Sequence, residues 1–455
     1  MRFPSRSELK EMSRLALPVV LAQVGLMLMG VVDTLMVGRV SATALAAVAL
    51  GNLYVFTTVV PAMGTLMVLD PIIAQAVGAR DREGIARGMQ RGLLLSVILG
   101  VIMSVVLIPV RPMLVLFHQP PDLIPITTSY VLISIAGVIP FLAFVVLRQS
   151  LQALGEMRVM LAVVIAANLT NAFLNWVLVY GHLGSPAMGA PGSAWATALS
   201  RWLMTALLVV FGWRVLHPSL VPWRKEALHL APLLAMLRLG IPIGLQQVLE
   251  YGAFAAIGVL MGVLGTREMA AHQIAINLAS LTFMVPLGVG AAAAVRVGHA
   301  AGAADAEAAR ESARAALMCG VGFMLCSATA FLLMPAGIAS LYASDASVLA
   351  LAATLIPIAG VFQVFDGLQA VAGGILRGLG DTRVPFLINL AGFWLVGVPV
   401  SIGLGFYTPL GAAGLWWGFV AGLVSVSLLS LRRVRSRLRG AVVRTHVVQS
   451  EGLIF

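Results

Sequence analysis

The sequence predicts an all-α integral membrane protein whose twelve transmembrane helices form two pseudo-symmetric six-helix bundles around a central cavity. Three observations carry that prediction. Of 455 residues, 60% are apolar and only 10% charged, whereas an average soluble domain is about 25% charged. Twelve apolar runs are each long enough for the roughly 20 residues that a bilayer core about 30 Å thick demands. The two halves of the chain also match each other at a shift of 224 to 225 residues. The same hydrophobicity excludes intrinsic disorder, and the 46 Gly and 22 Pro suit helices whose neighbours can satisfy backbone groups freed at a proline.

In chain order the runs lie near 14–37, 44–69, 92–116, 125–147, 159–180, 190–213, 239–263, 269–294, 315–341, 348–376, 384–406 and 411–431. Residues 1–13 carry Arg2, Arg6 and Lys10 but no small-residue cleavage site behind a short apolar core, so they read as a cytoplasmic amphipathic lead-in and not a secretory signal. Residues 14–214 form the first six-helix lobe, 215–238 a charged inter-lobe loop, 239–431 the second lobe and 432–455 a basic tail. Cys319 and Cys326 lie seven apart on one run, roughly 10 Å along a helix and too far to bridge.

Orientation follows from the basic residues. With the N-terminus in the cytoplasm, 25 of the 29 Lys and Arg fall inside; Arg39, Arg111 and Arg267 fall outside and Arg201 within a span. Both termini are therefore expected in the cytoplasm. The net charge of +11 reads as membrane orientation and not nucleic-acid affinity, because no basic stripe with interleaved aromatics accompanies it.

The repeat keeps its register through several spans. Pro18 recurs as Pro242, Gln23 as Gln247, Gly38 as Gly262, Asn52 as Asn277 and Pro61 as Pro286. Gly78 and Asp81 recur as Gly302 and Asp305, and the stretch Leu154 to Val159 as Leu379 to Val384. Copies with an even number of helices enter the membrane the same way round, as in two-lobed transporters, and a substrate is expected between the lobes.

Three acids lie inside apolar runs: Asp33, Glu250 and Asp366. A carboxylate at bilayer depth costs about 2.5–3.5 kcal/mol on insertion scales, so it should face protein or water and bind something cationic. A desolvated carboxylate of this kind can exchange a proton for Na⁺ or an organic cation, and all three are Na⁺ candidates. In the fifth span Asn168, Asn171 and Asn175 share one helical face. With Thr197 of the sixth span they suggest either an oxygen-rich cage for Asp33 or plain interhelical glue. Glu250 follows Gln246 and Gln247, with Tyr251 and Phe254 beside it; Asp366 has Phe362 and Gln369 on its face. A carboxylate among aromatic rings suits a lipophilic cation, through charge pairing and cation–π attraction. Asp70, before Pro71, reads as a turn or cap at a span boundary, and Arg201 as a buried charge in need of a partner.

Enzymes and ATP-driven pumps lack support here: no phosphate-binding G-x-x-x-x-G-K-[ST] loop, no H-E-x-x-H pair and no G-x-S-x-G elbow occurs. A selective channel would need a filter or voltage-sensor helix, and neither is written.

The text resembles the multidrug and toxic compound extrusion (MATE) family over essentially its whole length, and within it the NorM branch. Leu17-Pro18 through Val32-Asp33-Thr34 to Gly38 is similar to the family's opening helix. Ala270-Ala271-His272-Gln273 through Pro286-Leu287-Gly288 to Arg296-Val297-Gly298 is similar to its eighth, and Gln363 through Asp366 and Gln369 to Gly380-Asp381-Thr382 to its tenth. The resemblance implies two six-helix bundles that open alternately to either side. It implies export of lipophilic cationic drugs and dyes, as in multidrug efflux and antibiotic resistance, in exchange for Na⁺ or H⁺ and with no other cofactor, by a monomer in the lipid bilayer.

By resemblance the cation-coupling residues are Asp33, Asn171, Asn175, Thr197, Glu250 and Asp366. Drug contacts are expected at Glu250, Asp366, Gln247, Tyr251, Phe254, Phe362 and Gln369. Having both Glu250 and Asp366 favours the NorM over the DinF branch. The chain departs from the family at Phe362, where a tyrosine is expected four residues before the tenth-helix acid. The alternative is a flippase for a lipid-linked precursor, which should carry a basic cavity for pyrophosphate; this chain buries three acids and one arginine.

Overall fold

The computed structural model describes residues 4–342, 345–440, 442, 444 and 445. Among them the regular structure is helical throughout, and twelve helices are long and apolar enough to cross a membrane. They are α1 Arg6–Gly38, α2 Ala42–Gly78, α3 Arg82–Leu107, α4 Leu123–Ala153, α5 Met157–Tyr180, α6 Ala190–Leu220, α7 Leu230–Leu264, α8 Thr266–Gly302, α9 Ala306–Leu333, α10 Ala346–Gly378, α11 Arg383–Phe406 and α12 Gly411–Arg439.

Each helix answers one expected run, and several extend beyond it at the end that carries basic residues. Hydropathy reports only the part in oil, whereas the hydrogen-bond ladder continues past it, as in α6 to Leu220 and α12 to Arg439. Two runs stop short. The third was expected to reach 116, but α3 ends at Leu107 and Val110–Leu116 forms a separate short helix behind Pro109. The ninth ends at Leu333, where Met334 leaves helical geometry and Pro335 opens Pro335–Ala339. In both places proline supplies no N–H to continue the ladder, and at Pro335 it also disfavours α geometry in Met334 before it. Asp70, expected at a span boundary, is buried in the first turn of Leu69–Gly78, just beyond a break in α2. Both cysteines are free thiols.

The repeat is visible in the turns. Asp81 and Asp305 cap α3 and α9, accepting from Gly84 N at 2.8 Å and Ala308 N at 2.9 Å. Each satisfies an orphan amide and places a negative charge at a helix N-terminus. Before them Arg80 and Ala304 share the left-handed region at φ 56° and 55°. Matched letters are here matched geometry.

By internal packing the chain divides into two compact units, Leu21–Gly244, and Met1–Val20 with Leu245–Phe455. The divisions fall inside α1 and α7, at points related by the same shift of 224 residues that relates the sequence halves. Each follows a proline by two residues, Pro18 and Pro242, within an unbroken helix. The first part of α7 belongs with α2 because Gly240 and Gly244 bring its backbone against Thr65 O and Pro61 O, where a Cβ would collide. The first part of α1 belongs with α8, where a Cβ on Gly288 would fall 2.9 Å from Val20 N.

Two segments read as flanking or linking are docked. The expected lead-in is already α1 from Arg6, and Glu8 and Glu11 both pair with Arg296 of α8, the latter at 2.9 Å. Ser312 Oγ of α9 also donates to Glu8 Oε1 at 2.6 Å. In the other unit Gln90 holds the end of α6 and the chain beyond it: its Nε2 donates to Ser219 O (3.0 Å) and Pro222 O (3.1 Å), and its Oε1 accepts from Arg224 N at 2.9 Å.

The second unit's core depends on a backbone-to-backbone crossing of α8 and α10, where a Cβ on Gly374 would strike Gly290 O. Overpacking of this sort costs about 1–3 kcal/mol, and here the obstacle is a carbonyl that no rotamer change can move. Gly374→Ala should therefore lower the Tm of the purified protein by several degrees. Gly373→Ala, whose Cβ would meet nothing within 4 Å, should leave Tm in place, and equal Tm values for both variants would refute this account of the crossing.

Candidate cation and drug sites

In the unit Leu21–Gly244, Asp33 of α1 is 3% exposed. Asn175 Nδ2 of α5 donates to its Oδ1 at 2.6 Å, and Thr197 Oγ1 of α6 donates to its Oδ2 at 2.7 Å. One turn back on α5, Asn171 Oδ1 accepts from the same Asn175 Nδ2 at 3.2 Å. Four of the expected coupling residues are thus together. Asn168 on the same face does something else: its Nδ2 donates to Gly25 O and to Val164 O, both at 2.9 Å, which ties α5 to α1.

Magnitudes separate the roles. A buried carboxylate costs about 2.5–3.5 kcal/mol, and a hydrogen bond to a charged group returns about 1.5–3 kcal/mol. Two such bonds roughly offset the burial, so this unit can hold Asp33 as an anion. Asn175 Oδ1 has no partner among the described residues, which leaves a neutral acceptor beside the carboxylate, a donor set suited to a hard cation.

Arg201 sits one turn beyond Thr197, close enough to Asp33 for their charges to interact. Its guanidinium carbon lies 4.8 Å from the centroid of the Phe141 ring, a cation–π contact. Gly137, at a break in α4, makes room for it, since a Cβ there would lie 3.1 Å from Arg201 Cδ.

The second unit assembles the other two acids. Gln369 Nε2 of α10 donates to Glu250 Oε2 of α7 at 3.2 Å and to Asn389 Oδ1 of α11 at 3.3 Å. Asp366 is 5% exposed. Its Oδ1 and Gln369 Oε1 are buried with no partner among the described residues. Glu250 and Asp366 are near enough to repel each other as anions, and two such charges in a desolvated place favour neutralisation by a proton or metal cation. Where Asp33 is served by its own unit, Asp366 is not.

The expected drug contacts fall into different surroundings. Gln247 is partly buried on α7 and Tyr251 is exposed at the surface of its unit. Phe254 and Phe362 stand edge-on with ring centroids 5.8 Å apart, and both pack on Phe419, at 4.7 and 5.2 Å. Phe362 also meets Trp416 at 5.4 Å and is fully buried. Its ring, at the position where a tyrosine was expected, is enclosed by packing and offers no face to a ligand within this unit. Phe254, partly buried, lies one turn after Glu250 on α7.

Two polar residues beside this site, Asn389 and Trp394, escaped the sequence reading, and Gln363, named there only as a neighbour of Asp366, proves to be a helix tie. Gln363, one turn before Asp366, accepts from Thr282 Oγ1 at 2.6 Å and donates to Ser327 Oγ at 3.1 Å, tying α10 to α8 and α9. Asn389 joins Gln369, and Trp394 Nε1 donates to Leu249 O at 3.0 Å. The available signal was the one that marked the fifth span: an amide inside an apolar run.

The MatE family model matches residues 18–177 and again 242–402, two matches offset by the internal shift of 224 to 225 residues. The multidrug resistance protein NorM of Burkholderia vietnamiensis is 39% identical over 427 residues, 92% of this chain and 91% of that protein. The multidrug resistance protein PmpM of Pseudomonas aeruginosa is 36% identical over 451 residues, 97% of this chain and 94% of that protein. Among solved structures, the eukaryotic MATE transporter AtDTX14 superposes with a TM-score of 0.85 at 21% identity, covering 95% of this chain and 99% of that one. An outward-facing multidrug resistance MATE family transporter superposes with a TM-score of 0.87 at 20% identity, covering 96% and 97%. These structural likenesses establish the fold, and the two family matches over a duplicated set of twelve spans establish the lineage: the chain belongs to the MatE family of multi-pass multidrug efflux transporters.

Proposed function

We propose that this transporter is an antiporter of the bacterial inner membrane that exports lipophilic cationic drugs and dyes in exchange for inward Na⁺ or H⁺, by alternating access. It works as a monomer with both termini in the cytoplasm. The observation that carries the reading is the paired placement of acids: Asp33 in an amide and hydroxyl cage, and Asp366 beside Glu250 with one carboxylate oxygen unpartnered. The names of the NorM and PmpM relatives, multidrug resistance proteins, support the substrate class.

Inward cation and outward drug compete for the same carboxylates. A cation that discharges an acid weakens its hold on a cationic drug in one state, and loss of that cation on the other side restores it. Only such differential binding drives a cycle. One charge across 100 mV is worth about 2.3 kcal/mol, roughly fifty-fold in concentration. Exchange of one cation for one drug cation therefore draws on the ion's chemical gradient alone, and strong voltage dependence requires more than one cation per drug.

Ethidium efflux from vesicles with imposed Na⁺ or pH gradients tests the reading. Accumulation against the dye gradient that stops when one ion gradient is collapsed is expected. Dye movement indifferent to both gradients would refute the coupling.

A further inference from the structure

We propose that Asn389 is a positioning residue for the cation site of the second unit: it fixes the Gln369 amide so that Nε2 holds Glu250 while Oε1 is presented, with Asp366, as a neutral ligand for the coupling cation. The inference rests on the antiport reading above and names a part of the same site.

The hydrogen bonds allow one direction only. Asn389 is 1% exposed, and its Nδ2 donates to Pro385 O at 2.9 Å. A carbonyl only accepts, so the Asn389 amide must turn its Oδ1 toward Gln369. Gln369 must answer with Nε2, and the second hydrogen of that nitrogen goes to Glu250 Oε2. With acceptor-only groups at both ends, neither amide can be reversed without losing a bond. What remains is Gln369 Oε1, a buried acceptor without a partner among the described residues, on the same helix as the equally unpartnered Asp366 Oδ1. Two oxygens of this kind beside a second carboxylate are the hard-oxygen set that a small cation takes.

Helix α11 is wound to make this possible. Asn389 immediately precedes a π-helical segment, Leu390–Gly397. In an α-helix residues five apart point roughly 140° from each other, whereas i→i+5 winding stacks them, and such segments recur at functional sites. Asn389 and Trp394 are five apart, and both reach the surroundings of Glu250. Trp394 Nε1 bonds Leu249 O at 3.0 Å, and its ring lies 3.1 Å from where a Cβ of Gly252 would sit. α12 accommodates the wider winding through glycine, with the Cβ position of Gly397 only 3.2 Å from Gly422 Cα.

The test is the ion dependence of ethidium efflux by the full-length transporter in proteoliposomes, with Na⁺ varied at fixed pH and pH varied at fixed Na⁺. Asn389→Leu should raise the concentration of the coupling ion needed for half-maximal efflux by about tenfold, while the maximal rate at saturating ion stays within about twofold. Asn389→Asp, which keeps the acceptor facing Gln369 Nε2, should restore most of the apparent ion affinity. Gln369→Leu should show the same shift, and adding Asn389→Leu to it should add nothing, because the two act as one unit. If Asn389→Leu fails to accumulate in the membrane, Asn389→Ala replaces it in the same measurement. An unchanged half-saturation, a loss confined to the maximal rate, or additive shifts in the double variant would overturn the proposal. Wild-type efflux indifferent to both ions would instead overturn the antiport reading, so the two failures are distinct.

Discussion

Asp33→Asn is expected to reduce ion-driven ethidium efflux by about tenfold or more, the size of an ordinary coupling free energy, while the protein accumulates in the membrane at near wild-type level. The substitution keeps shape and removes charge. Asn175 Nδ2 and Thr197 Oγ1 both donate to Asp33, at 2.6 and 2.7 Å; an asparagine can accept from Asn175 Nδ2 and donate to Thr197 Oγ1, a hydroxyl that turns from donor to acceptor. Both bonds survive but lose the strengthening of a charged acceptor, which costs about 1–3 kcal/mol in all. Against it stands relief of about 2.5–3.5 kcal/mol for no longer burying a carboxylate. The two nearly cancel, and stability should change little. Any loss of transport is then a loss of the exchangeable charge. The measurement is efflux in vesicles carrying matched amounts of protein, and efflux equal to wild type would remove Asp33 from the coupling machinery.

Much of this arrangement was legible because its signals are local or periodic. Apolar length located the twelve spans, and the repeat located the turns down to a pair of capping aspartates, Asp81 and Asp305. Acids in oil marked Asp33, Glu250 and Asp366, of which the fold brings the first two to amide partners. What stayed hidden depends on where a backbone approaches another. The exchange of the first parts of α1 and α7 between units turns on Gly240, Gly244 and Gly288, and glycine in apolar text carries no sign of which glycine is a contact. The role of Phe362 was hidden for a related reason: a ring four residues from an acid looks the same whether it faces a ligand or three other rings. The π winding after Asn389 has no sequence period of its own, since it spans only eight residues. Asn168 shows the converse limit, because three amides on one face looked like one cage and the structure divides them between a site and a helix contact.

The acids of the second unit should behave in the opposite way to Asp33 in one respect. Asp366→Asn is expected to reduce coupled efflux, again by about tenfold or more, and at the same time to raise the Tm of the purified protein. Asp366 is 5% exposed, its Oδ1 has no hydrogen-bond partner among the described residues, and Glu250 lies close enough to repel it. An uncompensated buried charge destabilises strongly, and a neutral side chain of the same shape removes both the desolvation and the repulsion. A gain of about 1–3 kcal/mol follows from the size of an unsatisfied polar group. Glu250→Gln should gain less, because its carboxylate already accepts from Gln369 at 3.2 Å, and the bond to Nε2 survives with an amide oxygen in place. Transport should treat the two acids as one unit: if Glu250 and Asp366 share a single cation, losing either empties the site, and Glu250→Gln with Asp366→Asn should be no worse than the poorer single variant. Thermal melts of the purified variants and vesicle efflux decide the matter together. A less stable Asp366→Asn that still exports ethidium at the wild-type rate would mean that this carboxylate is a structural element, and the exchange of cation for drug would have to be sought elsewhere in the transporter.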